Sequence, residues 1–320
     1  MAAHGDNNLS KRLYNSGQRE YELVKRRNRR ISSLSNSQMF QPLKDKQFWK
    51  AVAAEFIAVA ILIVVGCSTT RAVEVPGTTV SQSNILRISF GFGLTVAVLV
   101  SATAHISGGH LNPAVSFGLL IARRFSFVKF LIYSLAQICG SIVGAAILKG
   151  VQGEVIGVNE PADGVSSSRS FGIETVITFV LVFTVLSCTD SRRSDSVAPV
   201  PLFVGLAITC CHLFAADVSG SAMNPARALG PSIIASKYKD HWVYWVGGFL
   251  GAFIAAVVYE YMLAPDASIE KVKNVFARKS LDSDSQPEKS SDKKDNDPMK
   301  KRITPTAGSK TELQTISTED

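Results

Sequence analysis

The chain has 320 residues, of which 46% are hydrophobic and 19% charged, with a formal net charge of +8. That charge is localised: residues 1–50 hold 11 Lys and Arg against 4 Asp and Glu, residues 51–263 hold 12 against 11, and residues 264–320 hold 11 against 11. A nucleic-acid binder would spread its excess over a folded face. Here the excess lies just before the first long apolar run, which excludes nucleic acid as a partner and marks a cytoplasmic tail beside a lipid bilayer.

Residues 1–47 are polar and lack an apolar h-region, so no cleaved signal peptide is expected and the first span acts as its own insertion signal. Lys25-Arg26-Arg27 and Arg29-Arg30 read as a topology signal, with contact to anionic lipid as the second reading. Arg29-Arg30-Ile31-Ser32 places a basic pair before a serine and makes Ser32 a candidate phosphorylation site. Apolar runs of about 20 residues, the length that crosses a bilayer core, then follow. They are expected at residues 48–70, 85–104, 128–148, 171–188, 199–216 and 241–263. The first and fourth each contain one acid, Glu55 and Glu174. Gly140 and Gly144, and again Gly247 and Gly251, have the small-residue spacing that lets membrane helices approach closely. The longest internal loop, residues 149–170, links the two halves. Cys67, Cys139, Cys188, Cys210 and Cys211 lie within or beside apolar runs and read as reduced packing residues.

Two shorter runs carry the strongest signal. Asn112-Pro113-Ala114 and Asn224-Pro225-Ala226 each follow Ser-Gly and open an apolar stretch too short to span. Ser107 pairs with Ser219, Gly108 with Gly220 and Gly118 with Gly230 at the same separation of 112 residues that relates Asn112 to Asn224. One tripeptide is weak evidence; two with matched flanks indicate an internal repeat. Each half therefore reads as span, span, half-helix, span. Three full spans per half is an odd number, so the second half is inserted upside down and its half-helix meets the first near the bilayer midplane. The expected fold class is an all-α membrane protein: six transmembrane helices plus two re-entrant half-helices in an inverted repeat. Six spans place both termini on one side.

Asn before Pro is helix-start chemistry: Asn caps, and Pro at the first position loses no needed N–H. Two helix starts at membrane depth imply a water-filled cavity between them. Both present positive dipole ends to it, and the Asn amides add donors without charge, which suits water oxygens and opposes cations. Glu55 and Glu174, costly inside a membrane, are read at their matched positions as acceptors for the re-entrant loop of their own half; a proton or ion relay is the alternative.

These motifs resemble the aquaporin, or major intrinsic protein, family over about residues 46–265: His-Ile-Ser-Gly-Gly-His-Leu-Asn-Pro-Ala-Val, Ser-Ala-Met-Asn-Pro-Ala-Arg and His-Trp-Val-Tyr-Trp-Val-Gly. The stretches from Gln47 to Glu55 and Tyr259-Glu-Tyr are similar to the aquaporin-four-like animal water channels. Pores of this family are the standard illustration of cation exclusion by half-helix ends. The resemblance implies an outer selectivity filter of Phe92, His212 and Arg227, with a backbone carbonyl at Ser221 as fourth member. Phe92 would narrow the opening, and His212 and Arg227 would donate hydrogen bonds. Ala228 stands where glycerol-conducting relatives have Asp, His212 where they have small residues, and Tyr244 where they have Pro, which points to the water-selective branch. Ser221 also stands where the family has its mercury-reactive cysteine, so blockade there is not expected.

His110 is a candidate vestibule residue, either a plain hydrogen-bonding group or a pH-sensitive one. The expected architecture is a cytoplasmic N-terminal tail (1–47), a channel domain (48–264, repeats about 48–150 and 171–264) and a disordered cytoplasmic C-terminal tail (265–320) with candidate phosphorylation sites at Ser280 and Thr304. The expected function is passive, single-file water conduction driven by osmotic gradients in the plasma membrane, and the resemblance implies a homotetramer. No nucleophile–base pair, nucleotide loop or metal cluster is present in the sequence, so no catalysis, cofactor or metal is expected. The rival readings are a pore for glycerol or urea, a secondary transporter, and a scaffolding membrane protein.

Overall fold

Every regular element of the described residues is helical. The computed structural model describes residues 41–72, 80–193, 199–268 and 270. After a short 3-10 turn at Gln41–Lys44, eight helices follow in order: α1 (Lys46–Ser68), α2 (Val80–Ser107), α3 (Pro113–Ile121), α4 (Phe127–Gln152), α5 (Ser167–Cys188), α6 (Val200–Ala215), α7 (Pro225–Ala235) and α8 (Trp242–Val258). A π turn at Tyr259–Leu263 extends α8. Five of these stretches are long and apolar enough to cross a membrane. The fifth expected span, residues 199–216, is α6 with 16 residues, about 24 Å at 1.5 Å per residue. It is shorter than expected because Pro199 fixes its start and the chain turns into the second re-entrant loop at Ala216. The linker is also shorter than expected: α4 runs on to Gln152, where Gly153 closes it in the left-handed conformation (φ 79°), and Ser166 caps α5 through the N–H of Arg169.

The halves interlock. Within each half the first and last spans pack together, α1 on α4 and α5 on α8, and α2 meets α6 across the halves. The half-helices cross over: α7 packs on α4 of the first half, and α3 on α8 of the second. The α2–α6 crossing has two-fold character. A Cβ on Gly93 would lie 2.6 Å from the carbonyl oxygen of Gly205, and one on Gly205 would lie 2.5 Å from that of Gly93. Only glycine at both positions lets the backbones come this close. Large apolar side chains such as Leu94, Val98, Leu135 and Phe253 remain exposed on the outside, as lipid-facing surface requires.

Candidate functional site

The two re-entrant loops are each built around one buried carboxylate. Glu55, on α1 and fully buried, accepts from the Ser107 hydroxyl (2.6 Å), the backbone N–H groups of His110 (2.9 Å) and Leu111 (2.7 Å), and Gln137 Nε2 (2.8 Å). Glu174, on α5 and equally buried, accepts from the Ser219 hydroxyl (2.7 Å) and the N–H groups of Ala222 (3.0 Å) and Met223 (2.9 Å). A tyrosine anchors each loop from the last span of its half: Tyr133 Oη donates to Ser107 O (3.1 Å) and Tyr244 Oη to Ser219 O (2.8 Å). The loops need this support because their backbone leaves regular structure at membrane depth. Leu111 and Met223 occupy the left-handed region, with φ of 54° and 53°.

Each loop ends in its Asn-Pro-Ala. Asn112 Oδ1 caps α3 through Ala114 N (2.8 Å), and Asn224 Oδ1 caps α7 through Ala226 N (3.1 Å) and Arg227 N (3.2 Å). The two amides then reach across the repeat. Asn112 Nδ2 donates to Met223 O and Asn224 Nδ2 to Leu111 O, both at 2.8 Å. One N–H of each amide is thus committed to holding the halves together, and the second is left for the cavity that both asparagines line.

That cavity, about 290 Å³, is continuous from Arg227, Phe92 and His212 past both asparagines to Arg124 and Thr189. The Phe92 and His212 rings stack, with centroids 4.8 Å apart and planes at 14°. The Arg227 guanidinium lies 4.8 Å from the Phe92 ring centroid. His212 differs from expectation. Its Nδ1 donates to the carbonyl of Ile208 (3.0 Å), so the neutral imidazole offers Nε2 as an acceptor rather than the second donor anticipated. Nε2 is buried without a protein partner. Ser221 is fully buried with φ 48°, and its hydroxyl donates to Cys211 O (3.3 Å); Ala222, next to it, lines the cavity. His110 also lines the cavity, where Nδ1 pairs with Ser116 Oγ (2.9 Å) and the ring packs against Phe125 and Tyr133.

Two features escaped the sequence reading. First, the linker between the halves folds against Arg227. Nη1 donates to Gly157 O (2.6 Å) and to Asn159 Oδ1, while Asn159 Nδ2 donates to Gly220 O (2.8 Å). Gly157 (φ 80°) sits so close to Cys67 that a Cβ there would lie 2.5 Å from the Cys67 Cβ. Second, an ion-pair cluster forms around Arg124, which lines the other end of the cavity. Arg124 contacts Glu260 (2.7 Å) and Asp190 (3.6 Å), and Arg192 contacts Asp190 (2.7 Å), Glu260 (3.0 Å) and Asp266. Tyr259 Oη donates to Asp190 (2.8 Å). The Arg192 guanidinium holds the Asp190 carboxyl well below the usual carboxylate range, and Asp190 in turn raises Arg192. Glu260 and Asp266 lie 68 to 136 residues from the arginines they pair with, so no local pattern in the sequence announced the cluster. Ser32, Ser280 and Thr304 lie outside the described residues.

Residues 42–259 match the model of the family described as Major intrinsic protein. Aquaporin-1 of Homo sapiens is 40% identical over 237 residues, covering 72% of this chain and 88% of the relative. Aquaporin FA-CHIP of Pelophylax lessonae is 37% identical over 240 residues, with the same coverage of 72% and 88%. Among solved structures, the X-ray structure of the aquaglyceroporin from Plasmodium falciparum shares the fold, with a TM-score of 0.59 at 24% identity over 68% of this chain and 97% of that one. With its helical, multi-pass membrane architecture and paired re-entrant loops, the chain belongs to the major intrinsic protein, or aquaporin, family.

Proposed function

We propose that this chain is a water-selective channel, conducting in single file down osmotic gradients. One observation carries the reading: a single cavity joins the two Asn-Pro-Ala asparagines to the Phe92–His212–Arg227 set. The unused amide N–H groups and both helix N-termini face permeating oxygen atoms with donors and positive potential, which suits water and opposes cations. The stacked Phe92 and His212 rings leave a narrow opening. The acceptor at His212 Nε2 and the guanidinium of Arg227 give one water both kinds of partner there. Domain limits of 48–264, both tails cytoplasmic, residence in the plasma membrane and assembly as a homotetramer complete the proposal. They follow from the basic N-terminal tail, the even number of spans and the family.

The test is osmotic swelling of proteoliposomes containing the purified chain, with glycerol uptake measured on the same vesicles. Fast swelling of low activation energy without glycerol entry is the expected result. Glycerol entry would overturn the role given to Phe92, His212 and Arg227, and swelling no faster than in protein-free vesicles would overturn the channel reading itself.

A further inference from the structure

The separation of 112 residues reaches beyond the loops into the pore walls. Gly93 and Gly205 touch reciprocally, and their helical neighbours follow suit: a Cβ on Gly93 would meet Thr209 and one on Gly205 would meet Ala97, itself the counterpart of Thr209. The inverted repeat therefore assigns each pore-wall residue of one half a counterpart facing the opposite mouth. Applied to the outer set, it pairs Phe92 with Val204, His212 with Val100 and Arg227 with Val115. All three valines are buried, and all three line the same cavity. Where one mouth has an aromatic, an imidazole and a guanidinium, the other has three β-branched aliphatic side chains with no donor or acceptor.

We propose that Val100, Val115 and Val204 form a second, inner constriction that limits the rate of flow without contributing to solute selection. The proposal rests on the water-pore reading and adds a division of labour to it. At the outer set a water exchanges hydrogen bonds with the wall. At the valine collar the three side chains offer it no partner, which leaves its neighbours in the file and the first-loop groups, His110 among them, that line the cavity beside the collar; passage then depends chiefly on the width of an apolar ring, as in hydrophobic constrictions that gate by dewetting. Widening the collar should then raise flow while the outer set continues to exclude larger solutes. Filling it should slow flow while the outer set is intact.

The test is water and glycerol flux in proteoliposomes, normalised to folded protein recovered, for four single variants. Val204→Ala and Val115→Ala are expected to raise water permeability about twofold or more with glycerol still excluded. Val204→Phe, which gives the inner collar the aromatic that the outer set has at the paired position, is expected to lower it about tenfold. Val98→Ala, on the exposed lipid-facing side of α2, is expected to match the parent chain. Two results would overturn the proposal: alanine variants whose water flux equals that of Val98→Ala, or glycerol entry through Val204→Ala. If Val204→Phe fails to fold, the alanine variants decide alone, because they remove volume rather than add it. A parent chain that fails to conduct overturns the water-pore reading instead and is recognised before any variant is compared.

Discussion

The two re-entrant loops share a frame and differ in what they show to the pore. Ser107 and Ser219, Tyr133 and Tyr244, and Glu55 and Glu174 make matching hydrogen bonds in the two halves. Yet Arg227 faces the cavity in one half where Val115 does in the other, and Ala222 does where His110 does. The frame must be duplicated because each loop poses the same problem, unpaired backbone N–H groups at membrane depth, and a carboxylate answers it. The pore-facing side chains carry no such burden and are free to diverge. The frames differ in one respect: Gln137 supplies Glu55 with a fourth donor, and glycine, Gly248, stands at the corresponding place in α8.

Removing the carboxylates tests the shared frame most severely. Glu55→Ala and Glu174→Ala each orphan two backbone N–H groups and a serine hydroxyl. At about 1–3 kcal/mol per buried unsatisfied group, both should fail to yield folded protein or lose most of its thermal stability in detergent. The larger loss is expected at Glu55, which also takes away the 2.8 Å partner of Gln137 Nε2 and leaves it only Ser116 Oγ at 3.4 Å. Equal losses would show that the fourth donor contributes nothing. Making the pore faces alike comes next. Arg227→Val gives the second half the residue of the first, and should admit glycerol at about tenfold the parent rate while water still passes, as measured by paired swelling assays. Asn159→Ala removes one of the two linker groups that hold Arg227. It should relax glycerol exclusion by about twofold to fivefold, in keeping with the roughly 1 kcal/mol of a single hydrogen bond.

The smallest effect concerns the ion-pair cluster, for which the first re-entrant loop has Arg124 and the second no equivalent. A carboxyl whose folded-state pKa is depressed stabilises the fold above its unfolded pKa and loses that contribution as pH falls through the folded one. Asp190 is held far below the ordinary carboxylate value, so its contribution should stay constant from neutrality down to about pH 5 and fade only in stronger acid. Thermal unfolding of the parent chain and of Asp190→Asn should therefore differ by a constant amount across that range and converge below it. A difference that vanishes already between pH 7 and 5 would contradict the pairing with Arg192.

What was legible in the sequence was whatever chemistry acts over a few residues. Asn112-Pro113 and Asn224-Pro225 start helices by local capping, and the repeat made their shared role visible. The position of Glu55 and Glu174 early in matched spans suggested their loops as partners. Asn159 was not legible, since a polar residue in a polar linker carries no periodic or spacing signal; its contact with Arg227 depends on how the linker folds back. Glu260 was hidden in the same way, in a π turn at the end of α8 that no composition rule marks. The tautomer of His212 could not be read either, because it is set by the carbonyl of Ile208 one helical turn earlier.

The crossed amide bonds have a consequence for biosynthesis. Asn112 caps α3 within its own half, but its amide N–H is satisfied by Met223, and Leu111 O by Asn224. At about 5–20 residues per second, the partner segment is made on the order of ten seconds after the first loop. Throughout that interval the first loop is left with an unmatched amide and carbonyl at a depth where lipid offers nothing in exchange. The first three spans therefore have reason to remain in a water-accessible or chaperoned setting until the last three arrive, and the channel closes its midplane as a single late event rather than half by half.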